Sequence, residues 1–256
     1  MKNIILVIVL LNNILVFSQQ TLIVEYKEIY NTESPRTRSA IMQINPSNSF
    51  YVSLMKTTKV LKSDEEILKE KQEKSEDNSN NFMIQIGTNE DKYYVFDFIN
   101  KGLKIIGNVG KKRFLIDDNY TINWKITNET KIIANYKTYK ATTKFRGRIW
   151  EAWFAPDLAY QSGPWKLHGL PGLILEASEE SKTYNYVATK IYYNEQFINF
   201  DENNFPKISF KKFTELEKEY YDNIFNTPIE SRYKRTTIFS QSKPQEFDFE
   251  WETPTK

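Results

Sequence analysis

Residues 93–136 read YYVFDFINKGLKIIGNVGKKRFLIDDNYTINWKITNETKIIANY, and this stretch decides the fold class. Tyr93–Phe98 is a dense aromatic and β-branched run, and Ile105, Phe114-Leu115-Ile116, Ile122-Asn123-Trp124 and Ile132-Ile133 follow at short spacing. Apolar residues that alternate with polar ones at a period of two mark strands with one buried face. Between the runs lie Asn89-Glu90-Asp91, Asn100-Lys101-Gly102, Gly110-Lys111, Asp117-Asp118-Asn119 and Thr127-Asn128-Glu129, all turn formers. Close strands joined by short polar turns give an antiparallel meander and not βαβ units. Working outward, Leu22, Val24 and Tyr26 open the pattern, and Tyr136 to Phe145 continues it. Late in the chain Tyr184, Tyr186 and Ala188 share one face of a strand, while Val187, Ile191 and Tyr193 share the other.

Two segments depart from the alternation. Lys62 to Asn81 carries charges of both signs and almost no apolar residue, so burial cannot offset the entropy of ordering it, and it reads as a mobile insertion. Phe213, Leu216, Tyr220 and Ile224 recur at steps of three and four, which predicts one helix from about Ser209 to Asn223, capped by Ser209 or by Thr214 with Glu217. Residues 229–256 form a polar tail with an aromatic patch at Phe247, Phe249 and Trp251. At the other end, Met1-Lys2-Asn3 precedes apolar Ile4–Leu11 and Ile14–Phe17, a short cationic and then apolar pattern that reads as a signal peptide cleaved after Ser18. The apolar run is broken by Asn12 and Asn13 and is short for a membrane span. An exported protein, periplasmic or secreted and at most peripheral to a membrane, is the expectation, with one domain over 19–228.

Charge and composition exclude several functions. With 35 Lys plus Arg against 33 Asp plus Glu, the chain lacks the clustered basic excess that nucleic acid requires. The absence of Cys among 256 residues removes disulfides, thiolate nucleophiles and Cys-based metal sites, and a single His leaves little for imidazole ligation. No metal and no cofactor is expected, and the fold must be held by its core.

The stretch Tyr136–Ala177 reads YKTYKATTKFRGRIWEAWFAPDLAYQSGPWKLHGLPGLILEA. Its Gly169-Leu170-Pro171-Gly172-Leu173-Ile174, with Tyr139-Lys140-Ala141, Phe145-Arg146-Gly147-Arg148, Ala152-Trp153-Phe154 and Gly163-Pro164-Trp165 in order before it, resembles the GLPGLI (Porph_ging) family of exported Bacteroidota proteins. The resemblance extends upstream through the Trp124 strand and downstream through Lys207-Ile208-Ser209. Many family members carry Cys where this chain has Thr138, so any role of that thiol is absent here. The family implies no established general activity.

Physically, Leu170-Pro171-Gly172-Leu173 suits a type II turn, with Pro second and Gly third. After it Leu173, Leu175 and Ala177 are expected to face inward, and Glu176 and Ser178 outward. Between a strand ending near Phe154 and one starting at Leu173 lies a connection of some fifteen residues, where about 4–6 is usual. It is either a lip over a cavity or a packed loop pinned by Trp165.

Titratable residues offer weak chemistry. His168 precedes the turn and Ser162 is its nearest hydroxyl, but the nucleophile elbow of a hydrolase is missing. Asp117-Asp118-Asn119 reads as a turn and not a calcium loop. Glu151 and Asp157 read as a solvated face and not a sugar-cleaving pair. Arg146 and Arg148 share a sheet side and could grip an anion or balance Glu151, with ordinary surface ion pairing the expected reading. Trp150 and Trp153 fall on opposite faces of one strand. Aromatic side chains give the better lead, because they pair large apolar area with a polar handle.

The expected fold is therefore mainly β: a curved antiparallel sheet or half-barrel with an apolar inner surface and one C-terminal helix packed on it, an architecture similar to that of periplasmic lipoprotein-carrier proteins. The expected function is non-catalytic binding of a lipid or other apolar ligand, or of a partner polypeptide, at Trp153, Trp165, His168, Leu170, Pro171 and Leu175. The alternatives are an accessory protein that meets outer-membrane transport machinery through an edge strand, and a hydrolase using His168.

Overall fold

A computed structural model describes residues 21–32, 35–54, 92–194, 202–226 and 245–252. The signal peptide read at 1–18, the insertion at 62–81 and most of the tail after 228 lie outside these residues. Twelve strands form one sheet: β1 (Thr21–Tyr30), β2 (Arg36–Ile44), β3 (Asn48–Ser53), β4 (Lys92–Asp97), β5 (Leu103–Val109), β6 (Lys112–Asp118), β7 (Lys125–Ile133), β8 (Tyr136–Phe145), β9 (Arg148–Ala155), β10 (Leu173–Glu179), β11 (Tyr184–Asn194) and β12 (Lys207–Ser209). Their spatial order is β12-β6-β5-β4-β3-β2-β1-β11-β10-β9-β8-β7. Two antiparallel meanders, β1–β6 and β7–β11, thus join through the long β1·β11 pairing, and only β12 runs parallel to its neighbour.

Chain connectivity forces this sheet to curl. Ten strand spacings separate β6 from β7, about 48 Å if the sheet were flat. The connection from Asp118 to Lys125 can reach only about 25 Å when fully extended. The two ends must therefore approach each other around a concavity, yet β7 and β12 do not pair and the sheet stays open.

The mainly β, curved and antiparallel architecture, with one C-terminal α-helix among the described residues, agrees with the sequence. The helix α1 (Phe210–Asn226) is capped by Ser209, whose hydroxyl accepts from the Lys212 amide at 3.2 Å, while the Thr214 hydroxyl donates within the helix to the Lys211 carbonyl. Phe210 and Phe213 are buried, and Phe213 lies over Gly107 on the concave face of β5; the side chain of Ile224 lies outside the described residues.

The concavity is not an open apolar groove. Seventeen residues, 156–172, connect β9 to β10 and fold into it. Trp165, Lys166, Leu167, His168 and Leu170 are all buried there. Trp165 packs on Trp150 (centroids 5.3 Å apart) and Phe145, and Ser162 bonds Ser49 of β3 at 2.6 Å. Long connections are tolerated inside a protein only when their backbone is satisfied. Here Gly169 bonds the Gln161 carbonyl, Ile174 the Ser162 carbonyl, and the Tyr120 hydroxyl and Trp124 indole reach the carbonyls of Lys166 and His168.

The inner surface is also less apolar than expected. Buried Glu28 accepts hydrogen bonds from Tyr30, Tyr51 and Ser53 at 2.9, 2.6 and 2.6 Å. Such a carboxylate tolerates burial because three hydroxyls replace its water. Period-two patterning cannot distinguish a Tyr or Glu that is satisfied inside from one that points to solvent.

Two local expectations are corrected. The Gly172 amide donates to the Leu170 carbonyl at 2.8 Å, a three-residue turn about Pro171, whereas Leu173 donates to Leu158; the type II turn is not formed. Gly172 is needed for space: a Cβ there would sit 2.7 Å from the Ala155 carbonyl carbon. Secondly, the β9·β10 register slips at Leu175, so Ile174 and Ala177 pair with Phe154 and Ala152 on one face, and Leu173, Ile174 and Leu175 are all fully buried. A bulge resets alternation, and nothing in Leu-Ile-Leu announces it.

Gly172→Ala should destabilise the protein by about 1–3 kcal/mol through overpacking against backbone, read as a lower urea midpoint at unchanged slope. Arg146→Ala, which leaves buried Asp118 with one cation fewer, should cost about 3–5 kcal/mol in the same measurement.

Candidate functional site

The space that the 156–172 loop leaves open is a cleft of about 520 Å³ at the mouth of the concavity. Deeper, between Trp165, His168 and Tyr51, only about 10 Å³ remains, room for a single water. The cleft is built by four segments, the first of them the β2–β3 turn, which supplies Pro46. From β4 and the turn after it come Phe96 and Phe98, two residues apart on one face; from the Asp118–Lys125 connection come Tyr120 and Ile122; from the loop come Tyr160, Gln161 and His168. Lys101 stands at the rim.

Aromatic packing orders the walls. The His168 imidazole stacks on Phe96 at 4.1 Å and leans on Tyr120 at 5.1 Å, while Phe98 meets Phe96 edge-on and Tyr160 at 6.4 Å. Among the described residues none hydrogen-bonds the imidazole nitrogens, and the ring borders the cleft. Burial pulls its pKa down to about 4, against a weaker upward pull from Asp118. The ring is therefore neutral at pH 7, one nitrogen a donor and the other an acceptor. Lys101 is the single charged side chain at the cleft.

Beside the cleft lies a buried ion network. Arg146, in the β8–β9 turn at a positive φ of 46°, makes a two-pronged bond to Asp118 at 2.6 and 2.8 Å and meets Glu246 and Glu250; Lys166 meets Asp118 and Glu246, both at 2.8 Å. Burial would raise the pKa of the Asp118 carboxyl, but Arg146 and Lys166 hold it below its usual range. Tyr120, under the Arg146 guanidinium at 4.7 Å, joins the network to the cleft.

The sequence-read candidates scatter. His168 lines the cleft. Trp165 is buried beneath it against Trp150. Leu170 is buried in the loop, Pro171 is exposed, and Leu175 is buried at the bulge. Trp153 is on the opposite sheet face from Trp150, as expected, with the Lys131 ammonium over its ring at 4.2 Å and its indole bonded to Glu151 at 3.1 Å. Arg148 pairs with Glu179, while Glu151 is balanced by Lys140. The Ser162 hydroxyl is engaged by Ser49 and is not assembled with His168. Thr138 donates to the Lys131 carbonyl at 2.9 Å and pins β8 to β7. Phe96, Phe98, Tyr120 and Tyr160 were not singled out from sequence. The period-two spacing of Phe96 and Phe98 was the available signal, but nothing local brings them to Tyr160, over sixty residues away.

Among the described residues no cluster of His, Cys, Asp or Glu has the arrangement of a metal site, and no helix is long and apolar enough to cross a membrane. For His168 the folded pKa is depressed, so its contribution to stability is complete above the unfolded value near 6.5 and is lost as pH falls through about 4. Unfolding free energy should drop by about 3 kcal/mol across that window, and His168→Phe should flatten the decline between pH 6.5 and 4, measured by urea unfolding at fixed ionic strength. The remaining acid loss belongs to the carboxylates that the fold holds below their ordinary values, Asp118 together with Asp97, Glu151 and Glu179, and persists in the variant.

No protein-family model matches the chain, and no curated protein matches it by sequence. Among solved structures it is similar to PNGF-II, with a TM-score of 0.53 at 16% identity over 78% of this chain and 34% of that one; a second crystal form gives 0.51. The chain thus spans about a third of PNGF-II, and the likeness shows a shared fold alone. A putative outer membrane lipoprotein-sorting protein domain from Vibrio parahaemolyticus also matches, over 73% of this chain and 90% of that one, at a TM-score of 0.25 and 8% identity, too low to carry an argument.

Proposed function

We propose that this chain is an exported binding protein of the GLPGLI type that holds a small ligand with an apolar ring or chain and a polar end in the cleft at the mouth of its curled sheet, without transforming it. The observation that carries this reading is the cleft itself: about 520 Å³, within the range of small-molecule sites, walled by Phe96, Phe98, Tyr120, Ile122 and Tyr160, with Lys101, Thr121, Gln161 and His168 adding polar surface of about equal extent. Neutral His168 and Gln161 supply hydrogen bonds that orient the ligand, and Lys101 favours an anionic end outward. A ring or short acyl group suits these walls better than a long chain, because the 156–172 loop fills the deeper concavity. A hydrolytic reading lacks support: the hydroxyl of Ser162 is bonded elsewhere, and His168 has no orienting acid bonded to it.

A second reading, contact with a partner polypeptide, rests on β7. This strand ends the sheet, with no strand among the described residues paired to its outer side, and Ile126 and Ile132 on it are 48% and 68% exposed. The bulge within β7 interrupts that edge and weakens the case.

Native mass spectrometry of gently purified protein should show a bound small molecule. Phe98→Asp and Tyr160→Ala should each reduce its occupancy at least tenfold while the unfolding midpoint changes little; protein that carries no ligand and gains none from an envelope extract would overturn the reading.

A further inference from the structure

Residues 246–252 read Glu-Phe-Asp-Phe-Glu-Trp-Glu, a strict alternation of acidic and aromatic side chains. The segment is irregular and closes a turn over 249–252, where the Glu252 amide donates to the Phe249 carbonyl at 3.0 Å, and both its carboxylates and its rings meet the body. The segment lies against the β8–β9 turn and the start of α1. Glu246 meets both Arg146 and Lys166, Glu250 meets Arg146, and Asp248 meets Lys144. Phe247 packs against Gly147, where a Cβ would come within 2.5 Å of the ring; Gly147 also has a φ of +82°, so this close seat requires glycine. Phe249 and Trp251 stack at 4.7 Å and both meet Phe210 edge-on. The main chain adds a bond from the Arg148 guanidinium to the Gln245 carbonyl at 3.2 Å.

The two sides of this contact are unequal. Arg146 and Lys166 are buried, but no residue from 245 to 252 is; the rings are half-buried, and Asp248, Glu250 and Glu252 are exposed. The body thus needs an anion more than the segment needs the body. Without the segment, two buried cations would face the one carboxylate of Asp118, beside a Phe210 ring stripped of Phe249 and Trp251. Uncompensated buried cations are costly, and the surface selects whatever brings carboxylates and rings together.

We propose that this surface is a peptide-binding site whose ligand is a short segment of a partner polypeptide with alternating acidic and aromatic residues, and that residues 245–252 occupy it in cis. A tethered occupant competes at high effective concentration, so the site opens only to a segment of the same chemistry that binds better or is abundant.

The test uses the full chain carrying Glu246→Lys, Phe249→Ser and Trp251→Ser, which disables the cis segment, and a fluorescein-labelled peptide with the sequence of residues 245–252. Anisotropy should show saturable binding to the variant at least tenfold tighter than to the unaltered chain, weakening as salt rises from 0.05 to 0.5 M. A peptide with its three aromatic residues replaced by Ser should bind at least tenfold more weakly. Glu246→Gln alone, which keeps the rings, should give an intermediate affinity and carries the test if the triple variant does not fold. Equal binding to variant and unaltered chain, binding to neither, or equal binding of the ring-free peptide would each overturn the proposal.

Discussion

The bond between Asp118 and Arg146 holds the two ends of a twelve-stranded sheet together. Asp118 ends β6, next to one edge; Arg146 turns between β8 and β9, next to the other. Laid flat, these positions would be about 43 Å apart, nine strand spacings. Curling brings them to 2.6 Å, where a planar guanidinium and a carboxylate fit in a two-pronged bond. Such a pair, shielded from water, costs desolvation and does not by itself guarantee stability. Its contribution is to fix one curvature among many, since sliding or flattening the sheet would strand a buried charge.

Everything inside the curl follows from that curvature. Lys166 joins the ion network from the 156–172 loop, and this anchors the loop that fills the concavity. The Asp118–Lys125 connection crosses beneath, with Tyr120 and Trp124 bonded to the loop's carbonyls. The cleft is the remainder where these two segments, the turn after β4 and Pro46 of the β2–β3 turn fail to meet. Its aromatic walls are thus positioned by a polar network, and Tyr120 touches both.

Most strands, turns and the helical stripe were legible because each is local: Phe96 and Phe98, Asn100-Lys101-Gly102, and Phe213 with Leu216 read correctly over a few residues, whereas Ile122–Trp124 lies in the β6–β7 connection and Thr127–Glu129 is a bulge within β7 and not a turn. The bulge at Leu175 and the turn at Pro171 were not, because both depend on what Ala155 and Leu158 present from another part of the chain. Of the candidate site residues, His168 borders the cleft, while Trp165 and Leu170 are walls of the interior. A tryptophan in a long loop reads the same whether it meets a ligand or pins the loop to Trp150.

By itself the sequence determined a curved antiparallel sheet with one capped helix, because hydrophobic period and turn chemistry are properties of neighbouring residues. It also determined which chemistries are missing, because a chain without Cys and with one His cannot supply them. Only the tertiary structure decided that the concavity is filled by the chain's own loop, that Glu28, Asp118, Arg146 and Lys166 are buried, and that an acidic–aromatic segment lies over two of them. Those facts depend on which distant residues the curl brings together, and a charged residue reveals its partner only when the water between them has been removed.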